Sequence, residues 1–334
     1  MELIPMAPPK HYYLTLDTET ATLPFINEMQ LTASQKKNIA IAKPLIYDIG
    51  WTITDRNGNI FKKENFLVQE TFFVPNIFNT AYYKNKRPIY MQLLKEGKIQ
   101  KAEWNNIIEK LLYDLRNCRL SVAYNACFDF KKSIPFTERY IEALYSENYN
   151  EWEAKQKKAC QAIANGTSTA QNPDYLTPVF ELRGEKFPIA DLWTVACNRL
   201  INIDKYRSYC IENNLLTNST QYFKTSAETA FQYLAKQYDF IESHTALDDS
   251  EIEAFILTKA LKKGKIEGEL SAFPFRELGT TIDFVIEKKP KYAEALAEMV
   301  KNYIDDNDGW GKNAYWKRME KELGKLLFLI NRGE

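Results

Sequence analysis

Residues 45–68 read LIYDIGWTITDRNGNIFKKENFLV. Two runs, Leu45 to Thr54 and Ile60 to Val68, flank Asn57-Gly58, whose residues both accept positive φ and together form the strongest short-range signal for a tight hairpin turn. The stretch is therefore expected to be an antiparallel strand pair. Upstream, His11 to Glu19 (HYYLTLDTE) is rich in aromatic and β-branched residues and reads as a third strand ending in acids. A polar stretch from Asn27 to Ala42 separates it from the pair.

Downstream, apolar residues recur at helical spacing between Ala102 and Leu115 (Trp104, Ile107, Ile108, Leu111, Leu112, Leu115), and Leu120 to Tyr124 then reads as a short strand. A helix is expected after Asp129. Ala164 to Pro173 (ANGTSTAQNP) has the residues of a surface loop, and Phe187 to Asn198 reads as strand running into helix. From Ala227 onward helices dominate, with two further helical patterns at Lys291 to Ile304 and Ala314 to Ile330 on either side of an Asp-Asn-Gly cluster, Asp305 to Gly311. Strands followed by alternating strand and helix describe an α/β fold: a mixed sheet of three antiparallel strands and then parallel strands, flanked by helices. The expected division is a main domain over 1–263 and a helical C-terminal extension over 264–334.

Composition narrows the class without naming a function. The chain has 334 residues, 45% hydrophobic and 26% charged, with zero formal net charge. Those fractions exclude wholesale disorder, and zero net charge means that a polyanionic partner would have to be met by a local basic patch. No membrane span or N-terminal export signal is evident, which sets the expectation of a cytoplasmic protein with no membrane partner. Five scattered cysteines (Cys118, Cys127, Cys160, Cys197, Cys210) have no C-x-x-C spacing and read as reduced packing residues, not as a disulfide framework or a zinc site.

Three short motifs carry chemistry. Asp17 and Glu19, at i and i+2 on one strand, project from the same face, where two carboxylates are costly to bury unless something positive neutralises them. Asp129 follows a strand end in Asn125–Asp129 (NACFD), and SHTALDDSEIEAFI places His244 before a helix with Asp249 five residues on. Taken singly, each has a structural alternative: solvated loop acids, a helix cap, first-turn acids serving the helix dipole, a packed histidine.

In this order, D-x-E, N-x-x-F-D and H-x-A-x-x-D resemble the DEDDh branch of the DnaQ-like 3′-to-5′ exonucleases, members of the ribonuclease H-like superfamily. The resemblance spans about residues 11–263 and includes Tyr47-Asp48-Ile49-Gly50 after the first motif and the strand-to-helix junction at Asp191-Leu192. It implies a ribonuclease H-like sheet, four metal-binding carboxylates (Asp17, Glu19, Asp129, Asp249), two divalent cations, Mg²⁺ or Mn²⁺, and His244 as general base. Spacing within the family pattern selects Asp249 over Asp248. Thr20, Asn125 and Phe128 are implied contacts for substrate. After Thr20 the chain departs from the Thr-Gly common in the family, continuing Ala21, Thr22, Leu23, and an insertion at Glu147 to Pro178 has no counterpart.

The implied activity is hydrolysis of DNA from a free 3′ end to nucleoside 5′-monophosphates, single-stranded DNA being the expected polymer. The enzyme would be freestanding or would work with a separate polymerase or repair partner. An exoribonuclease keeps the same chemistry, and a nucleic-acid-binding module without turnover keeps only the fold. Tyr82-Tyr83-Lys84-Asn85-Lys86-Arg87, with Tyr90, interleaves aromatics and cations as a strand-binding surface would, and Lys131 and Lys132 lie close to Asp129 in sequence. Ordinary solvated surface explains both equally well.

Overall fold

In a computed structural model the described residues are 11–167, 176–217, 220–306 and 314–332. Seven strands form one mixed sheet: β1 (Tyr13–Ala21), β2 (Leu45–Thr54), β3 (Ile60–Val68), β4 (Gln100–Ala102), β5 (Leu120–Ala123), β6 (Val179–Leu182) and β7 (Glu185–Asp191), in the spatial order β4-β3-β2-β1-β5-β7-β6. The three expected antiparallel strands are β1, β2 and β3, and β5 and β7 extend the sheet in parallel beyond β1. Two edge strands escaped the sequence reading. β4 is too short to show a period, and β6 pairs antiparallel with β7 through a turn at Arg183-Gly184, where both φ angles are positive (48° and 81°).

The β2–β3 connection is longer than a two-residue turn, running from Asp55 to Asn59. Asp55 Oδ1 accepts from the backbone N–H groups of Asn57 and Asn59 (2.8 and 3.0 Å), so the aspartate organises the loop and only Gly58 takes positive φ (90°). β2 is buried along its entire length, as a strand covered on both faces must be. One face meets helix Trp104–Asn117, whose predicted apolar stripe is buried throughout; Trp51 from β2 donates its indole N–H to Asp114 of that helix at 2.8 Å. The opposite face of β1 and β2 carries helix Ala246–Leu261.

Helix Ala246–Leu261 owes its seat to a missing side chain. A Cβ on Gly50 would stand 2.4 Å from the Leu247 nitrogen and 2.6 Å from its Cα, so only glycine lets the first turn of that helix lie against the strand. Asp48, two residues earlier on the same face, accepts the Ala246 N–H at 2.9 Å through Oδ2, satisfying one of the helix's orphan donors.

The chain divides into two compact units, residues 1–192 with 241–270, and residues 193–240 with 271–334. The grouping differs from the expected boundary at 263. The second unit is discontinuous because 220–225 is bound to the tail: Thr281 N–H donates to the Gln221 carbonyl at 3.0 Å, and Phe223 packs edge-on against Phe284 at 5.7 Å. Such contacts join segments about sixty residues apart and leave no local mark in a sequence. The second unit is helical in its regular structure, including Thr281–Lys288, Ala293–Asp305 and Ala314–Asn331. Helix Tyr149–Ala164 fills much of the 147–178 insertion. The remainder of the expected loop at Ala164–Pro173, from 168 onward, and the cluster Asp305–Gly311 from 307 lie outside the described residues. Among the described residues no helix is long and apolar enough to cross a membrane.

Candidate metal centre

Asp17 and Glu19 reach the same face of β1 because the strand alternates regularly up to Glu19. Their partners across the β1–β2 ladder are Gly50 and Asp48, and the register slips only after Glu19, where Tyr47 is the extra residue before Thr20 pairs with Ile46. Glycine opposite Asp17 leaves room above the carboxylate for helix Ala246–Leu261. That helix delivers Asp249 and, one turn later, Glu253, both buried (5% and 2% exposed).

Asp129 arrives from β5. The chain leaves that strand through Asn125, in the left-handed region at φ 88°, which asparagine tolerates better than most residues. It then enters a helical segment whose Asp129–Ser133 stretch is a π-turn, a device common where a functional side chain must be re-aimed. The Thr18 hydroxyl fixes Asp129 directly by donating to its Oδ1 at 2.5 Å, and Asp191, at the end of β7, anchors the segment before it by accepting the Ala126 N–H at 2.8 Å.

The result is a concentration of negative charge with little to offset it. Burial, then Glu253, Asp249, Asp129 and Glu19, hold the Asp17 carboxyl well above the ordinary carboxylate range. Burial, with Asp249 and Asp48, does the same to Glu19, and Lys86 opposes it. Burial lifts Asp129 to about 7 against the Thr18 hydrogen bond. Burial and the Glu242, Asp48 and Asp248 carboxylates lift Asp249 to about 8, Lys86 again opposing. Glu253 is raised by burial and by Asp129 and Asp249, although the Tyr124 N–H donates to it at 3.2 Å. Like-charged carboxylates at this density cannot all ionise near neutrality without a counter-cation.

Among the described residues, Glu19, His244 and Asp249 each offer a potential ligand atom, and those atoms lie within 4.8 Å of one another. Asp249 Oδ1 is buried and finds no hydrogen-bond partner among the described residues. An all-oxygen acid set with one imidazole and an orphaned buried oxygen fits a hard divalent cation. Asp17 and Asp129 stand outside that trio and join it through their mutual repulsion with Asp249 and Glu253. His244, expected as a base and not a ligand, thus has a ring nitrogen in the candidate ligand set. Its Nδ1 is 4.0 Å from Asp249 Oδ2 and 3.6 Å from Glu242 Oε2.

Asp248 and Asp249 do separate as helix geometry requires. Asp248 Oδ2 accepts from the Ser243 and Thr245 hydroxyls at 2.8 and 2.9 Å and ties down the turn before the helix, whereas Asp249 faces β1. Of the implied substrate contacts, Thr20 is half-buried beside the β1–β2 irregularity, Asn125 is exposed and Phe128 is half-buried. The aromatic and basic stretch is largely committed inward. Tyr83 stacks on the His244 imidazole, Tyr90 is buried, and Arg87 lies 5.1 Å above the rings of Phe72 and Phe78, which leaves Tyr82, Lys84 and Asn85 exposed. Lys131 likewise turns to the Thr177 hydroxyl and the Val179 carbonyl.

Four acids of this neighbourhood were not singled out as site residues from sequence. Glu253 had a usable signal, its i+4 spacing from Asp249 on one helix face. Asp48 and Asp191 sat in motifs noted for other reasons, and Glu242 had no local mark. No protein-family model matches the chain, and no curated protein matches its sequence.

Proposed function

We propose that this chain is a metal-dependent 3′-to-5′ exonuclease of the DEDDh kind on a ribonuclease H-like sheet, cleaving DNA from its 3′ end to nucleoside 5′-monophosphates in the cytoplasm. The observation that carries the reading is the convergence of Asp17, Glu19, Asp129, Asp249 and His244, drawn from three separate parts of the sequence, on one acidic cluster in which Asp129 and Asp249 are buried and the other three half-buried. The strand order, three antiparallel strands followed by parallel ones, supports it.

Glu19 and Asp249 with Asp17 would hold one divalent cation, and Asp17 with Asp129 a second. Divalent cations held there supply Lewis acidity toward the phosphoryl oxygens and neutralise charge that develops on the attacking and leaving oxygens. The protein's own groups do the rest. His244 takes a proton from the attacking water, a task suited to imidazole near neutrality. Asp48 and Gly50 set the height of the helix that bears Asp249, and Thr18 and Asp191 hold the segment that bears Asp129.

A time course on 3′-labelled single-stranded DNA, duplex DNA and RNA, with Mg²⁺ or Mn²⁺, tests the reading. Shortening from the 3′ end that stops with EDTA and with Asp17→Ala is expected. Full activity in Asp17→Ala would sink the mechanism, faster RNA cleavage would make the enzyme an exoribonuclease, and binding without turnover would make it an accessory module.

A further inference from the structure

His244 is a non-glycine residue with φ of 51°, in the left-handed backbone region, so the surrounding structure must hold it there. The hold comes from a distant segment, residues 83–90. The Tyr83 ring lies 4.5 Å from the His244 ring with 15° between their planes. Lys86 places its ammonium 4.6 Å from the centroid of the Tyr83 ring and donates to the Ser243 carbonyl, so one side chain binds both Tyr83 and the residue preceding the histidine. The Tyr90 hydroxyl donates to the His244 carbonyl at 3.3 Å, and Tyr90 itself is fully buried against Tyr47 and Phe72.

We propose that Tyr83 is the positioning residue of His244, with Lys86 and Tyr90 as the brace that keeps the stacked pair in register. The inference rests on the reading of His244 as the base of the proposed nuclease. An imidazole on a half-buried connecting segment would otherwise sample several ring orientations. A face-to-face aromatic neighbour restricts it to one plane, the plane in which Nδ1 lies 3.6 Å from Glu242 Oε2 and 4.0 Å from Asp249 Oδ2. Tyr83 need not touch the reacting atoms for this. It shields one face of the imidazole from water and limits rotation of the ring. From sequence alone this segment fits a strand-binding surface and ordinary solvated surface equally well, and the stacking gives Tyr83 a different task.

The chain contains only two histidines, His11 and His244, which makes the stacking directly observable. In ¹³C-histidine-labelled full-length protein, with His11→Ala used for assignment, the His244 ring protons should resonate upfield of those of His11 because they lie over the Tyr83 ring. Tyr83→Leu should remove that upfield shift and lower kcat on 3′-labelled single-stranded DNA about tenfold, with KM changed less than twofold. Tyr83→Phe should preserve both shift and rate. Ordinary solvent-exposed resonances for His244 in the unsubstituted protein, or an unchanged kcat in Tyr83→Leu, would overturn the proposal. Activity surviving Asp17→Ala would refute the nuclease reading while leaving the ring-current result intact, so the two failures are distinguishable.

Discussion

Replacing Gly50 with alanine tests how far the site depends on one backbone approach. The new Cβ would stand 2.4, 2.6 and 2.7 Å from the Leu247 nitrogen, the Leu247 Cα and the Ala246 carbonyl carbon, all backbone atoms that no rotamer change can move. Ordinary contact begins near 3.4 Å, so the first turn of helix Ala246–Leu261 must lift from β2 by about 1 Å. The same displacement would stretch the 2.9 Å hydrogen bond from Ala246 N–H to Asp48 beyond useful length and carry His244 and Asp249 away from Asp17 and Glu19. Overpacking of this kind costs about 1–3 kcal/mol of stability. A catalytic group misplaced by about 1 Å costs on the order of 10²-fold in rate. Thermal denaturation and single-turnover cleavage of 3′-labelled DNA read the two effects separately. Gly324→Ala, at a helical position with nothing within 4 Å of the new methyl, is the control and should lose neither. A soluble Gly50→Ala protein that cleaves within threefold of the unsubstituted rate would show that the helix does not have to touch the strand for the site to form, and would overturn this prediction.

The remaining predictions concern charge. Asp129 and Asp249 are raised to about 7 and about 8, above the unfolded value of about 4, so the stability that they contribute is fully present below about pH 4 and lost as pH rises through 7 to 8. The melting temperature of EDTA-treated protein should therefore fall between pH 5 and pH 9, and Mn²⁺ should raise it more at pH 8 than at pH 5.5; a flat or rising profile would contradict the repulsion. Asp17→Asn removes one ionisable carboxyl from the cluster and should raise the metal-free melting temperature at pH 9 by about 2–4 °C while abolishing cleavage, and a lowered melting temperature would count against the account. His244→Ala should slow cleavage by about 10²–10⁴-fold and keep the Mn²⁺-induced rise in melting temperature. Loss of that rise would make His244 a ligand as well as, or instead of, a base.

Local pattern alone located several of the long elements and placed the acidic motifs on them, but it missed helices Ala33–Ala42 and Tyr149–Ala164. β2 and β3 follow from composition around Asn57-Gly58, the buried stripe from Trp104 to Leu115 follows from helical spacing, and Asp17 and Glu19 share a face because a strand alternates. These are short-range properties, and neighbouring residues suffice to state them. Tertiary structure decided what is shared between distant residues. Gly50 is indispensable only because a helix beginning almost two hundred residues later lies on it, and Asp48, Asp191 and Glu242 join the neighbourhood only when folding brings distant segments to the same volume. From sequence Tyr83 fits a strand-binding surface or ordinary solvated surface equally well, and it is found against His244, since aromatic stacking depends on which surface the chain folds against and not on spacing along it. The regrouping of 193–240 with 271–334 has the same origin, in hydrogen bonds and ring contacts between segments that no sequence period connects.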